Sequence, residues 1–386
     1  MSFLRAARAA LAGQSSPRII LSVIAVVLSG FFISCGSSSH SSSAPNHNAY
    51  VTLPARGSVA LLHINGATGA ITMGAQTPQT QGTTPKGLAL LPSKKFLYVA
   101  NSFADTISIF NVASDGSLTL SGTPTPAGQG PDAAVIDPSG KYLLVTNNSS
   151  NDISVFSIDA SSGALSQVGL TVPANIDPSE ILITPSGKFV YVTNPGQGTV
   201  TAFTFSNGVL GPVPNSPIFS GLGAIGLAVD SSGRFLYVAN AAAPNSSVPS
   251  QGNISGFNID PNTGALTPIL GSPFTSSNGS GPSALTVDPS GRFVYATTVG
   301  SSYSIWCFAI TPTNGQLTPV TNSPFSLTAG GLFALIDPSG NYLYVGTSNG
   351  NGVAAFSYNP STGVPTAIAN SPFSTGTAPG KMVISE

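Results

Sequence analysis

Charged side chains are what this sequence has least of. Only 6% of its 386 residues are Asp, Glu, Lys or Arg, 12 basic against 13 acidic, where an ordinary soluble domain carries about a quarter. The surface must be solvated by Ser, Thr, Asn, Gln and backbone. A cationic nucleic-acid binder is excluded, and no nucleic-acid partner is expected. Two cysteines exclude a disulfide scaffold, and three histidines leave little for a histidine-rich metal site. No metal and no cofactor is expected from these counts. With 43 Gly and 32 Pro there is little room for helices, yet 41% hydrophobic residues are too many for a disordered chain. Many short strands joined by turns fit this composition, so the fold class is all-β.

The beginning of the chain has its own character. Arg5, Arg8 and Arg18 precede the apolar run Ile19 to Ile33, followed by Ser34-Cys35-Gly36. A charged start, a short apolar core and a small residue before a cleavage point describe a secretory signal, since the run is too short for a spanning helix. With its cysteine at the junction, the segment resembles a bacterial lipoprotein signal. That resemblance implies an exported protein with Cys35 as its lipidated first residue, anchored to a membrane of the cell envelope. Residues 1–34 are then the signal and 35–48 the tether, whose Ser-rich stretch 36–46 reaches roughly 18 Å. Removing Arg5, Arg8 and Arg18 leaves 9 basic against 13 acidic residues, a net charge of −4. Cys307, in Ser304-Ile305-Trp306-Cys307-Phe308, reads as a buried strand residue with an inert thiol.

Self-comparison shows one motif seven times. It is literal as Tyr191-Val192-Thr193-Asn194 and recurs around Tyr50, Tyr98, Leu144, Tyr237, Tyr295 and Tyr344, with steps from Tyr50 of 48, 46, 47, 46, 58 and 49 residues. Each period has the same grammar: an apolar run such as Ala133 to Ile136, the turn Asp137-Pro138-Ser139-Gly140, the motif strand, a polar loop, a third strand, and a turn into a short fourth strand. Four antiparallel strands per period are a propeller blade. The first period lacks its first strand, and the chain finishes with Pro379-Gly380-Lys381-Met382-Val383-Ile384, which matches one. Residues 49–386 therefore predict a seven-bladed β-propeller, closed by the C-terminal strand completing the first blade. A monomer is expected.

The Tyr-Val-Thr-Asn core, the Pro-Ser-Gly turn before it and Thr263-Gly264-Ala265-Leu266 after it resemble the YVTN β-propeller repeat. That repeat is shared with surface-layer-type proteins and with the lactonase family of seven-bladed propellers, which includes bacterial 6-phosphogluconolactonases. The resemblance implies the fold and makes lactone hydrolysis a candidate activity. The recurring Asn322-Ser323-Pro324-Phe325, Asn370-Ser371-Pro372-Phe373, Gly271-Ser272-Pro273-Phe274 and Asn215-Ser216-Pro217-Ile218-Phe219 are expected to anchor blade-to-blade crossings by burying Phe.

The repeat sorts the few charges. Asp137, Asp230, Asp288 and Asp337 sit in the turn between first and second strands, with Lys94, Lys95, Lys141, Lys188, Arg234 and Arg292 after it; the two sets are expected to face each other across the hairpins. Asp115, Asp159 and Asp260 open turns between third and fourth strands, where Asp bonds its own backbone. His63 reads as a satisfied strand histidine. Gly346-Thr347-Ser348-Asn349-Gly350 fits a nucleophile-elbow pattern but has neither the following helix nor a later histidine. What remains is Arg56, Lys86, Asp105, Asp132, Asp152, Asp177, Glu180 and Lys381, all assigned to the opposite, top face around the channel mouth. They come from the first four blades and the closing strand, so the mouth is expected to have one ionisable arc and one neutral arc.

Two functions at this mouth follow, beside a third, purely structural surface-layer-like role that would leave the mouth empty and the outer surface self-associating. In the first, the protein is a non-catalytic platform anchored in the envelope, binding a glycan, peptide or protein at this mouth by polar contacts. In the second, it hydrolyses an extracytoplasmic lactone, with Asp132 or Glu180 as base and Lys381, Lys86 or Arg56 as the electrophilic partner, and Asp105, Asp152 and Asp177 as further binding candidates. A phosphorylated substrate is disfavoured, because three basic groups stand among five acidic ones.

Overall fold

The computed structural model describes residues 46–241, 252–275, 281–300 and 302–385. Seven antiparallel sheets follow one another along the chain. The first is made of Met382–Ile384, His47–Leu53, Ser58–Ile64 and Ile71–Gln79 in that order, so both ends of the chain build one blade. Its closing register pairs Ala49 with Ile384, Tyr50 with Val383 and Val51 with Met382. This is the ring closure read from the repeat, although the first strand begins at His47, two residues ahead of that boundary. The inner strands of blades two to seven are Pro85–Leu90, Pro131–Ile136, Ile181–Ile183, Ala224–Val229, Gly281–Val287 and Gly331–Ile336. Pro54–Arg56, a single 3-10 turn, is the helical element among the described residues.

Apolar residues on both faces of the second strands leave a hydrophobic cluster at each junction between neighbouring blades. Across six junctions a fully buried motif tyrosine adds a directional bond. The hydroxyls of Tyr50, Tyr98, Tyr191, Tyr237, Tyr295 and Tyr344 donate to the carbonyls of Gly116, Gly163, Gly264, Gly315, Gly363 and Gly69, at 2.8–3.0 Å, each in the outer turn of the next blade. Tyr344 to Gly69 spans the closing junction. The exception lies between blades three and four, where Leu144 replaces the tyrosine. Blade four makes this turn through the tight hairpin Asn207-Gly208, with Ser206 paired to Val209, and no longer turn presents a carbonyl. Tyr142 instead packs edge-on against Phe205, ring centroids 5.7 Å apart.

The turn aspartates act on backbone. Asp137 accepts from the N–H groups of Lys141 and Tyr142 at 2.8 and 2.7 Å, and Asp230, Asp288 and Asp337 repeat the pattern. The expected pairing with the following basic residues is formed by Arg234 with Asp230, at 3.8 Å. Arg234 and Arg292 also lie over the rings of Phe235 and Phe293, at 4.7 and 5.6 Å, and Arg292 is held by this stacking and by its Nε bond to Ser290 Oγ where a salt bridge was expected. Asp115, Asp159 and Asp260 cap their own turns as read.

The Ser-Pro motifs lie within outer strands and not in the crossings themselves, but three of them do place their Phe at a blade junction: Phe274 between blades five and six, Phe325 between six and seven, and Phe373 between seven and one. Each interrupts the outer strand of one blade: Leu317–Pro319 and Phe325–Ser326, for example, both pair with the same third strand. Pro lacks the donor a continuous ladder needs. The preceding Ser repairs the gap, because Ser216, Ser272, Ser323 and Ser371 accept the N–H of Ala202, Gly256, Cys307 and Ala355. Phe274 is buried, while Phe219 is 64% exposed because Ile218 occupies the equivalent inward place. Cys307 is buried, its Sγ–H directed at the Gly363 carbonyl, and burial pushes its thiol up to about 12, which makes it inert at neutral pH.

Candidate functional site

The inner strands of five blades begin with the same register irregularity, and in blades one and four Thr52 and Thr193 make the matching pair of backbone bonds to Gly380 and Lys381 and to Ser179 and Glu180. Next to the second strand the register slips by one residue, as between Pro131 and Ala134 opposite Asn147 and Val145, or between Pro282 and Ala284 opposite Thr298 and Thr297. Such a β-bulge re-aims a side chain. The bulged positions are Lys381, Lys86, Asp132, Glu180, Ile225, Ser283 and Leu332 for blades one to seven, and all seven line one cavity of about 450 Å³ at the channel mouth. Four consecutive blades supply ionisable side chains and the other three supply Ile, Ser and Leu. The cavity thus has the charged and neutral arcs expected of the mouth.

Two ion pairs organise the charged arc. Lys86 Nζ lies 2.7 Å from Asp132 Oδ1, between adjacent blades. Lys381 of blade one reaches Glu180 of blade four, 201 residues away in sequence, and donates to its Oε2. Ser179 Oγ donates to Asp132 Oδ2 at 3.0 Å. Enclosure by the channel wall opposes the charge on Lys381, but the paired Glu180 carboxylate and the nearby Asp132 outweigh it and hold the ammonium above the ordinary lysine range. Two carboxylates and two ammonium groups leave the ring close to neutral.

Threonines of the repeat motif fix the backbone of the bulges. Thr52 Oγ1 accepts from the Lys381 N–H at 2.9 Å and donates to the Lys86 carbonyl at 3.0 Å. Thr146 Oγ1 accepts from Ala133 N–H and donates to the Ser179 carbonyl at 2.7 Å, while Thr193 Oγ1 accepts from Glu180 N–H at 3.0 Å. In this way three of the four charged positions are tied to their own or the neighbouring blade. Sequence reading passed over these threonines, along with Ser179 and Ser283. The available signal was that Thr alternates with Ala or Gly at one motif position, as in Thr52, Ala100, Thr146 and Gly346.

The structure does not bring the other candidates to this cavity. Arg56 is exposed at the end of its turn beside Gly376, whose hypothetical Cβ would meet the guanidinium, while its neighbours Pro54 and Ala55 do line the mouth. Asp105 accepts from Gly130 N–H at 2.7 Å, Asp152 from Asn147 Nδ2 at 2.7 Å and Ser150 Oγ at 3.1 Å, and Asp177 from Asn148 Nδ2 at 2.7 Å. These three carboxylates are occupied in shaping loops, which is why they stand apart from the ring. His63 Nδ1 is 2.8 Å from Asn48 Oδ1, on a strand of blade one. Among the described residues, no three His, Cys, Asp or Glu side chains gather around a common point. Cys35 lies outside the described residues.

A closed ring of seven four-stranded antiparallel blades, with polar side chains converging on one mouth, defines a seven-bladed β-propeller. The profile of the family described as lactonase, 7-bladed beta-propeller, matches residues 40–176, 171–277 and 250–379, and the chain belongs to this family. Among solved structures, a candidate 6-phosphogluconolactonase from Bacteroides fragilis is 22% identical, covering 88% of this chain and 98% of its own, with a TM-score of 0.74. The periplasmic gluconolactonase PpgL of Pseudomonas aeruginosa is 18% identical, covering 89% and 99%, also with a TM-score of 0.74. At these identities the likeness speaks to the fold alone. No functionally curated protein matches the chain.

Proposed function

We propose that the protein is a lactone hydrolase working at the ring of bulged residues. The observation that carries this is the convergence of Glu180, Asp132, Lys86 and Lys381 from four blades in one cavity, in a chain of the lactonase family. Hydrolysis needs a base for water and a positive group where negative charge develops on the carbonyl oxygen. Glu180 takes the water proton. The hydroxide equivalent adds to the lactone carbonyl, and Lys381, already held as the ammonium, stabilises the tetrahedral oxyanion. Collapse breaks the ring C–O bond, the proton passes to the leaving alkoxide, and the product is the open hydroxy acid. Asp132, held by Ser179, positions Lys86 as the second cation.

The substrate is uncharged. With Arg56 outside the cavity, both remaining cations are neutralised by carboxylates, and a phosphoryl group has no cationic cradle. The name of the Pseudomonas relative, a periplasmic gluconolactonase, agrees with an unphosphorylated substrate outside the cytoplasm. Export and lipid anchoring at Cys35 belong to the same proposal and rest on the sequence pattern of residues 5–36. Cys35→Ser is expected to move the protein from the membrane to the soluble fraction, and continued membrane fractionation would remove the anchor.

A pH-stat assay of the full chain on glucono-δ-lactone, γ-butyrolactone and 6-phosphogluconolactone, with and without EDTA, tests the activity. Turnover well above the spontaneous rate on an uncharged lactone, with little on the phosphorylated one, is expected. No turnover on any of them returns the ring to a non-catalytic platform for a glycan, peptide or protein.

A further inference from the structure

The neutral arc carries information about the substrate, on the reading that this mouth hydrolyses lactones. Ile225 and Leu332 occupy the same bulged position as the charged residues and face the same cavity, joined there by Ala378 and Pro379. Ser283, the polar member of this arc, is already committed: its hydroxyl lies 2.6 Å from the Gly331 carbonyl of the next blade and 3.0 Å from the Thr297 carbonyl. A hydroxyl has one hydrogen to give. A second cavity of about 160 Å³ shares Glu180 and Lys381 with the first and is also bordered by Leu285, Phe333 and Met382.

A polyhydroxylated sugar lactone set against this arc would find a single acceptor, Ser283 Oγ, and would bury its other hydroxyl groups against Ile225, Leu332, Ala378 and Pro379 without partners, which is costly. An alkyl substituent would lose nothing there and would remove apolar surface from water. The charged arc sits opposite, where a lactone ring belongs. We infer that the preferred substrate is a lactone bearing a hydrocarbon chain, its ring against Glu180 and Lys381 and its chain against Ile225 and Leu332. Ile225 and Leu332 are then specificity residues.

The test is the dependence of kcat/KM on chain length, from γ-butyrolactone through γ-hexalactone to γ-octalactone, with glucono-δ-lactone beside them. A rise of about three- to fourfold per buried methylene is expected, and Ile225→Ser and Leu332→Ser should each flatten it. A second readout is independent of turnover: calorimetric binding of the matching 5-alkyl-2-pyrrolidinones, cyclic amides that resist hydrolysis, should tighten with chain length in the wild type and less so in both variants. Circular dichroism melts check that the variants fold. Hydrolysis of glucono-δ-lactone with no chain-length dependence in rate or binding overturns the inference and leaves the hydrolase reading intact. Chain-dependent binding without hydrolysis of any lactone does the reverse, upholding the apolar arc and overturning the hydrolase.

Discussion

Replacing Tyr344 by Phe removes a single oxygen from a residue that is 0% exposed, at the junction where the two ends of the chain meet. The hydroxyl donates to the Gly69 carbonyl at 3.0 Å, and the aromatic ring keeps its packing in the variant. A typical intramolecular hydrogen bond contributes about 1 kcal/mol net, and leaving the buried carbonyl without a partner raises the cost to about 2 kcal/mol. With a urea slope of about 3 kcal/mol/M for a domain of this size, the unfolding midpoint should fall by about 0.7 M. Tyr191→Phe, at an internal junction, should cost a similar amount. Leu144→Tyr should bring no gain, since the Asn207-Gly208 hairpin places no outer-turn carbonyl opposite it. Equilibrium urea unfolding followed by circular dichroism measures all three. A Tyr344→Phe midpoint within about 0.1 M of wild type, or a stabilised Leu144→Tyr, would refute the idea that these bonds staple the blades.

Two further outcomes follow from the same repeat. The six stapling tyrosines are all fully buried, and desolvation first, then nearby charges such as Asp115 for Tyr50, pushes their ionisation up, for Tyr50 to about 12. Stability is therefore complete below the unfolded value of about 10 and is lost as pH rises toward the folded values. At about pH 11 each tyrosine costs about 1.4 kcal/mol, about 8 kcal/mol for six, within the usual range of total stability. Phenolate absorbance should jump together with loss of the far-ultraviolet strand signal, and gradual ionisation in an intact fold would contradict this. Lys94 holds a φ of +60° where the equivalent turns have Gly140, Gly187, Gly233, Gly291 and Gly340. Lys94→Gly should raise stability by about 0.5–1 kcal/mol in urea unfolding, and a lower midpoint would show that the side chain does more than occupy the turn.

The fold was legible because each blade restates it. Seven motif strands, their turns and a C-terminal segment shaped like a missing first strand leave one closed arrangement. The charged arc was legible for the same reason, since Lys86, Asp132, Glu180 and Lys381 fall at equivalent places in the period. Their pairing was not, because Lys381 reaches over two intervening blades to Glu180, and only closure of the ring sets that distance. Arg56, Asp105, Asp152 and Asp177 were placed at the mouth by loop membership alone. The period says which face a loop belongs to and is silent on whether its side chains turn inward or bond their own neighbours, as Asp105 does with Gly130. The Ser-Pro motifs were placed in the crossings for a related reason, since a broken outer strand and a crossing between blades have the same composition, while the packing of Phe274, Phe325 and Phe373 at blade junctions was legible.

Steady-state hydrolysis of an uncharged lactone by wild type, Glu180→Gln and Asp105→Asn is the most direct test of the ring as a catalytic site. Glu180→Gln keeps size and hydrogen-bonding capacity but cannot accept the water proton, and kcat should fall by about 10²–10⁴. Asp105→Asn alters a carboxylate of the same face that only shapes a loop, and its rate should stay within about threefold of wild type, less than the 1.4 kcal/mol that a tenfold change represents. Equal rates for Glu180→Gln and wild type would contradict the assignment of the base and of the site.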